Sequence, residues 1–260
     1  MKELRRALAN PSRGEPVGIE GPNLLYEATR ARLRIHCVFV ASEHDAEAIG
    51  PTLPAETEIL LVPRELLDSA LTTETPQPIA ALVDAPVWSW DQILGPPAHA
   101  RPLVVVLAGL QDPGNLGTII RSAEAFGASG ILCLPGTVHA WNSKTVRASA
   151  GSIFRIPILT ADPEEAIARL RSSGIEVLVA AADSALAADR AHLAHPTAFL
   201  IGNEGNGVPV EIAALADGAV RIPCPGQVES LNAAVAASVL LYEAARQRAT
   251  ESANSAEADS

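Results

Sequence analysis

Cysteine is scarce in this chain. Cys37, Cys133 and Cys224 are the three in 260 residues, far apart and without a Cys-x-x-Cys pair. That excludes a disulfide framework and leaves no expected metal site; the thiols read as reduced cysteines of a cytoplasmic protein. No apolar run reaches the ~20 residues that cross a bilayer, so no membrane segment is expected. The opening MKELRRALAN is charged and has no long apolar segment, so no secretory signal is expected either. Positive charge is also short: 19 Lys and Arg stand against 30 Asp and Glu, a net charge of −11. Phosphate contacts need cations, which excludes a general nucleic-acid binder. The shortage is uneven, however. Residues 1–100 carry 8 bases against 14 acids and residues 101–248 carry 11 against 13, while 249–260 hold 3 acids and no base. Finally, no G-x-G-x-x-G follows the apolar run Leu103–Ala108; the loop there reads Gly109-Leu110-Gln111-Asp112-Pro113-Gly114. This counts against a Rossmann dehydrogenase.

Hydrophobic residues make up 48% of the chain, ample for one large or two modest domains. The first 100 residues spell a small α/β unit. Gly21–Leu33, Asp45–Ile49 and Leu66–Leu71 have helical spacing; Ile35–Val40, Glu58–Val62 and Ile79–Val83 read as strands. Asp84–Arg101, with Pro86, Pro96 and Pro97, reads as a linker whose Trp88, Trp90, Ile93 and Leu94 pack on something. The domain boundary is placed near Gly95. Beyond it strands and helices alternate. Leu103–Ala108 has the continuous apolar character of a strand buried on both faces. A helix over Leu116–Phe126 ends at Gly127. Strands are expected at Ile131–Leu134, Ile156–Ile158 and Ile175–Ala180, with helices at Ser143–Ala150 and Pro163–Arg171. This βα series implies a mainly parallel sheet.

The stretch Thr197–Ala245 organises the rest. The apolar run Ala198–Ile201 leads into a turn with Gly202, Gly205 and Gly207. A second strand-like run, Gly218–Ile222, breaks at Pro223 and Pro225, which cannot donate ladder hydrogen bonds. A long alanine-rich helix then spans about Ser230 to Arg248. Loops at the carboxyl ends of parallel strands make a place for a ligand, and glycine lets backbone groups approach a flat one closely.

Two polar clusters stand out. Asn115 sits where the 116–126 helix should begin, a good N-cap position. Arg121 lies in the middle of that apolar helix, either exposed and paired with Glu124 or turned to a phosphate and sugar hydroxyl. Arg30, Arg32 and Arg34 precede the first strand, either as cations at a helix C-terminus or as RNA-phosphate contacts. Lys2, Arg5, Arg6 and Arg13 have the look of a mobile basic arm.

DPGNLGTIIRSAEAFG (Asp112–Gly127), FLIGNEGNGVP (Phe199–Pro209) and RIPCPGQVESLNAAVAASVLLYEAARQR (Arg221–Arg248) resemble, in order, the three motifs of the SpoU, or TrmH-like, RNA ribose 2'-O-methyltransferases of the SPOUT superfamily. VRASAGSIFRIPI (Val146–Ile158) resembles the same family, and LLDSALTTETPQPIAALV (Leu66–Val83) resembles its L30e-like substrate-binding domain. Pro78 stands where that family often has glycine. The resemblance implies an α/β fold: an L30e-like RNA-binding domain at 1–95 and a SPOUT methyltransferase domain at 96–248 with a parallel sheet and a deep trefoil knot. Residues 249–260, beyond the resemblance and acidic, are expected to form a disordered tail. It implies S-adenosylmethionine as cofactor, held at Gly202, Ile222 and Leu231 with Asn203, Gly205, Pro223 and Gly226 beside them. It implies that Arg121 stabilises the ribose oxyanion, in a site shaped by Asn115, Glu204, Ser230 and Asn232. Ser230 also reads as the N-cap of the last helix, and Glu204 as an acceptor for the glycine-loop amides. Arg30, Arg32, Arg34 and Arg147 are the expected RNA contacts. The implied partner is RNA, rRNA ahead of tRNA, and a second copy of the chain bound through the last helix by Ala233, Ala234, Ala236, Ala237, Ala244, Val235, Val239 and Leu240. A tRNA enzyme and a non-catalytic RNA binder of the same fold are the alternatives.

Overall fold

The structure is a computed structural model, and residues 1–9, 14–71, 73, 75–95, 101–228 and 230–258 are described. Arg13, one of the expected arm cations, and Pro96–Ala100 of the expected linker lie outside them. The chain opens with α1 (Lys2–Ala9), β1 (Val17–Glu20), α2 (Pro22–Arg30), β2 (Ile35–Val40), α3 (Glu43–Ile49), β3 (Glu58–Leu61), α4 (Arg64–Asp68) and β4 (Ile79–Val83). There follow α5 (Trp90–Leu94), β5 (Leu103–Leu107), α6 (Pro113–Ala125), β6 (Gly130–Cys133), α7 (Ser143–Ala148), β7 (Ile158–Thr160), α8 (Pro163–Ser172) and β8 (Glu176–Ala180). The last four are β9 (Thr197–Ile201), α9 (Val210–Ala213), β10 (Gly218–Val220) and α10 (Ala233–Ala258).

Two compact units result: Met1–Val87 with His139–Arg155, and Trp88–Val138 with Ile156–Ser260. The division differs from the expected single boundary near Gly95, because α7 and the turn after it belong to the first unit. A buried carboxylate is one reason. The Glu20 side chain, 1% exposed, ends β1 and faces the Arg147 guanidinium at 3.8 Å. Glu27 on α2 likewise pairs with Arg155.

The first unit has a four-stranded sheet, ordered β1-β4-β2-β3. Its central β4 is buried along its length, as its unbroken apolar sequence requires. The expected mobile arm is instead α1. Leu4, Ala7 and Leu8 bury one face of it, while Arg5 donates to Ser69 Oγ at 2.6 Å and Arg6 pairs with Glu15 at 3.0 Å. The apolar i, i+3, i+4 spacing outweighs the charges around it.

The second unit has a six-stranded, wholly parallel sheet, ordered β10-β8-β9-β5-β6-β7. Its middle strands β5 and β9 are buried throughout, as expected for a sheet covered on both faces. Part of the expected linker is α5, whose Ile93 is fully buried and whose Trp90 ring lies 4.8 Å under the Arg169 guanidinium. The expected disordered tail is corrected over residues 249–258, where α10 runs on to Ala258; Asp259 and Ser260 lie outside the described residues. Alanine and glutamate favour helix, and Glu251 holds this segment by bonds to Arg101 at 2.8 Å and His192 at 3.0 Å. Upstream, Arg248 donates to the carbonyls of Arg101, Pro102, Leu193 and His195. Burial and the nearby Arg101 lower its pKa to about 10, so it is still a cation at neutral pH. No described helix is long and apolar enough to cross a membrane.

Candidate active site

Because every strand of the large sheet is parallel, the loops after β5, β9 and β10 leave from the same edge. The β9 loop is closed on itself. Asn203 and Gly207 exchange two backbone hydrogen bonds, both of 3.0 Å. The Asn203 side-chain oxygen accepts from the amides of Gly205 at 2.7 Å and Asn206 at 3.2 Å. Its Nδ2 donates to Gly109 O in the β5 loop at 3.2 Å. Asn203, not Glu204, therefore orders the glycine turn. At Gly202 the path is tightest: a Cβ there would stand 2.1 Å from the Gly207 carbonyl carbon and 2.3 Å from the Val208 nitrogen. Only glycine fits.

Glu204 is thereby left to face another loop. Its Oε1 accepts from Asn115 Nδ2 at 2.7 Å, and Asn115 Oδ1 accepts from Asn232 Nδ2 at 3.1 Å. Asn232 Oδ1 in turn accepts from the amides of Ala234 at 2.9 Å and Val235 at 3.3 Å. The last step sets the direction of the whole relay. Backbone amides can only donate, so Asn232 must present its oxygen to α10 and its NH2 to Asn115, which fixes the Asn115 amide too. One polar chain thus ties the β5, β9 and β10 loops together.

Two capping assignments are corrected. Asn115 is not the N-cap of α6. Asp112 is, accepting from the Asn115 amide at 2.7 Å, and Pro113 takes the first turn where its missing N–H costs nothing. The Asn115 side chain is consequently available to the relay. Ser230 is exposed and does not cap the last helix; Asn232 does, being the residue adjacent to the first helical position.

Helices α6 and α10 run in the same direction. Asn115 meets Asn232, Ser122 Oγ meets Ser238 Oγ at 2.7 Å, and the rings of Phe126 and Tyr242 meet edge-on at 5.8 Å, each step further along both helices. Arg121 lies six residues beyond Asn115, about 120° round the helix and ~9 Å along it. It is exposed, and among the described residues it forms no pair with Glu124.

The expected cofactor residues lie on two of these loops. Gly202, Asn203 and Gly205 are in the β9 loop, and Ile222, Pro223, Gly226 and Leu231 follow β10. Ile222 and Leu231 are half-buried, while Pro223 and Gly226 are exposed, and a Cβ on Gly226 would meet nothing within 4 Å. A closed glycine turn, open backbone and two half-buried aliphatic side chains fit a ligand with a flat heteroaromatic ring and polar edges. Among the described residues no cluster of His, Cys, Asp or Glu could hold a metal ion. Burial pushes the Cys133 thiol up to about 12, which makes it inert. Of the expected RNA contacts, Arg30 is held by Glu27 at 3.2 Å and Arg147 faces Glu20, whereas Arg32 and Arg34 line a cleft of the first unit.

Comparison with known proteins agrees with this geometry. Residues 102–242 match the SpoU rRNA Methylase family, and residues 19–88 match the RNA 2'-O ribose methyltransferase substrate binding domain. The chain is 33% identical over 224 residues to the 23S rRNA (guanosine(2553)-2'-O)-methyltransferase RlmP of Bacillus subtilis, covering 86% of each chain. It is 34% identical over 197 residues to the 23S rRNA (uridine(2479)-2'-O)-methyltransferase of Streptomyces viridochromogenes, covering 74% of this chain and 68% of that one. The crystal structure of the SpoU methyltransferase AviRb from Streptomyces viridochromogenes, in complex with the cofactor AdoMet, superimposes with a TM-score of 0.84 at 29% identity, over 95% of this chain and 97% of the other.

Proposed function

The chain belongs to the SpoU rRNA methylase family, and on that premise we propose that it methylates one ribose 2'-hydroxyl of 23S rRNA. Its activity class is S-adenosylmethionine-dependent RNA ribose 2'-O-methylation. The observation that carries the reading to this chain's own residues is the relay from Glu204 through Asn115 to Asn232, which joins three loops at one sheet edge. Bound S-adenosylmethionine supplies a methyl group on a sulfonium, ready for displacement. The remaining work falls to the chain. A ribose hydroxyl is a poor nucleophile at neutral pH, so its oxygen must be stabilised as its proton passes to solvent water. We assign that task to Arg121, whose planar guanidinium also orients the adjacent phosphate. Gly202, Asn203, Gly205, Ile222, Pro223, Gly226 and Leu231 are assigned to the cofactor. Glu204, Asn115 and Asn232 hold the loops in register, and Ser230 stands exposed at the rim. A tRNA substrate is the alternative; it is disfavoured because the two rRNA enzymes just described are matched over most of this chain.

Two further features belong to the proposal. The first is a deep trefoil knot, with α10 passed through a loop; its anchorage by Arg248 to the backbone entering β5 and β9 is consistent with that path. The second is a homodimer. Ala233, Ala234, Ala237, Ala244 and Leu240 are buried within the chain, so they serve its own packing and not a partner's. The face left for a second copy is Val235, Val239 and Tyr242, 48%, 37% and 54% exposed, one helical stripe whose Tyr242 meets Phe126 at the end of α6. Light scattering is expected to give twice 27.0 kDa; a monomer mass independent of dilution would remove the dimer. We place its action in the cytoplasm. Mapping ribose methylation in total RNA from cells with and without the gene tests the substrate. One 23S rRNA position should lose its methyl group, and loss at a tRNA position would move the assignment to tRNA.

A further inference from the structure

The first unit has a cleft lined by Thr29, Arg32, Leu33, Arg34, His36 and Glu56, with Ile35 and Pro54 beside them. It forms where α2 ends and β2 begins. The helix closes with Arg32 N donating to Thr29 O at 2.9 Å and Leu33 N donating to Ala28 O at 3.0 Å. That closure puts Arg32 in the left-handed region, at φ 56°, a position where glycine is the usual residue because it carries no strain there. Arg34 and His36 follow where β2 begins, at a register shift in its pairing with β4 between Ile35 and Cys37, and both line the cleft. His36 is fixed by Asp84, Nε2 to Oδ1 at 2.6 Å. Among the described residues neither Arg32 nor Arg34 has a hydrogen-bond or ion-pair partner for its guanidinium. Arg30 differs, being held by Glu27 and lying over the Tyr26 ring at 5.7 Å.

We propose that this cleft takes a phosphodiester of the RNA substrate between the Arg32 and Arg34 guanidiniums. In a chain of net charge −11, a polyanion must be met by local cations, and here two unpaired forks line one recess. A helix-dipole role accounts for basic residues near a helix end, but not for arginine at a position strained for any side chain. The proposal rests on the reading of the chain as an RNA methyltransferase, and it adds an anchor within residues 29–56.

The test uses the full chain and a 23S rRNA fragment containing the mapped nucleotide, with binding measured across a salt series. Arg32→Gly removes the guanidinium and relieves the backbone strain together. It is expected to keep or raise the melting temperature, weaken RNA binding, and leave S-adenosylmethionine affinity as it was. Adding Arg34→Ala is expected to weaken RNA binding about tenfold or more and to lower the salt slope by about 0.7 to 0.9, one phosphate's share. Glu56→Gln, which removes a carboxylate from the same lining, is expected to tighten binding. Inorganic phosphate and AMP are run beside the RNA. If they bind here at low millimolar concentration while RNA affinity ignores both arginines, the cleft is a small-anion site and the proposal is overturned. Active wild-type protein with RNA affinity and salt slope unchanged in the double variant also overturns it, and leaves the methyltransferase reading intact. Arginine-dependent RNA binding by a wild-type protein that transfers no methyl group upholds the cleft and sinks the reading it rests on.

Discussion

Arg121→Ala is expected to lower methyl transfer by roughly two orders of magnitude or more, at saturating RNA and cofactor, while S-adenosylmethionine affinity stays nearly unchanged. The size follows from what loss of one oxyanion stabiliser commonly costs, about 3 to 4 kcal/mol in the barrier. The separation from binding follows from position. Arg121 is on the exposed flank of α6, whereas the residues assigned to the cofactor follow β9 and β10. Arg121→Lys should also be poor, because a point charge does not replace a planar fork at a phosphate. Single-turnover rates and calorimetry on the same preparations check both halves. Near-wild-type transfer by Arg121→Ala would place the catalytic role on another residue.

Gly202→Ala is expected to abolish measurable S-adenosylmethionine binding as completely as Gly202→Val does. A glycine in a ligand loop suggests that a larger side chain would occupy the ligand's space, and then alanine should be the milder change. The structure gives a different reason. The first side-chain atom already falls 2.1 Å from the Gly207 carbonyl carbon and 2.4 Å from its oxygen, far inside contact distance. Relief requires moving backbone that the Asn203–Gly207 pair and the Asn203 side chain hold. Both variants should therefore open the turn, with a stability loss of about 1–3 kcal/mol. Calorimetric affinity close to wild type in Gly202→Ala would contradict this account of the loop.

Much of the fold could be read from the sequence because its strands are strongly patterned. Ile35–Val40 and Ile79–Val83 fall where their β-branched apolar runs predict, and β5 and β9 match to within a residue. What escaped was short or long-range. Strand β1 has four residues, too few for any alternation to register. Its neighbour α1 was obscured by its arginines, although Leu4, Ala7 and Leu8 already carried the helical spacing. The cap of α6 has a local signal that favours Asp112, an aspartate directly before proline; Asn115 competes with it only by standing next to the apolar run. Ser230 and Asn232 are both good caps by residue type, and only the start of α10 at Ala233 chooses between them. The relay was not legible at all. Its two side-chain links join residues 89 and 117 apart in sequence, and no periodicity reports such a distance. The sequence did supply the polar residues, Asn115, Glu204 and Asn232, and the sheet order supplied their meeting place.

The most direct measurement is transfer of isotopically labelled methyl from S-adenosylmethionine to a 23S rRNA fragment and to the same fragment with a 2'-deoxyribose at the mapped nucleotide. The account predicts label on the ribose of the first RNA and none on the second, with nuclease digestion yielding a 2'-O-methylated nucleoside. Label retained on the deoxy fragment, or recovered on a base, would contradict it.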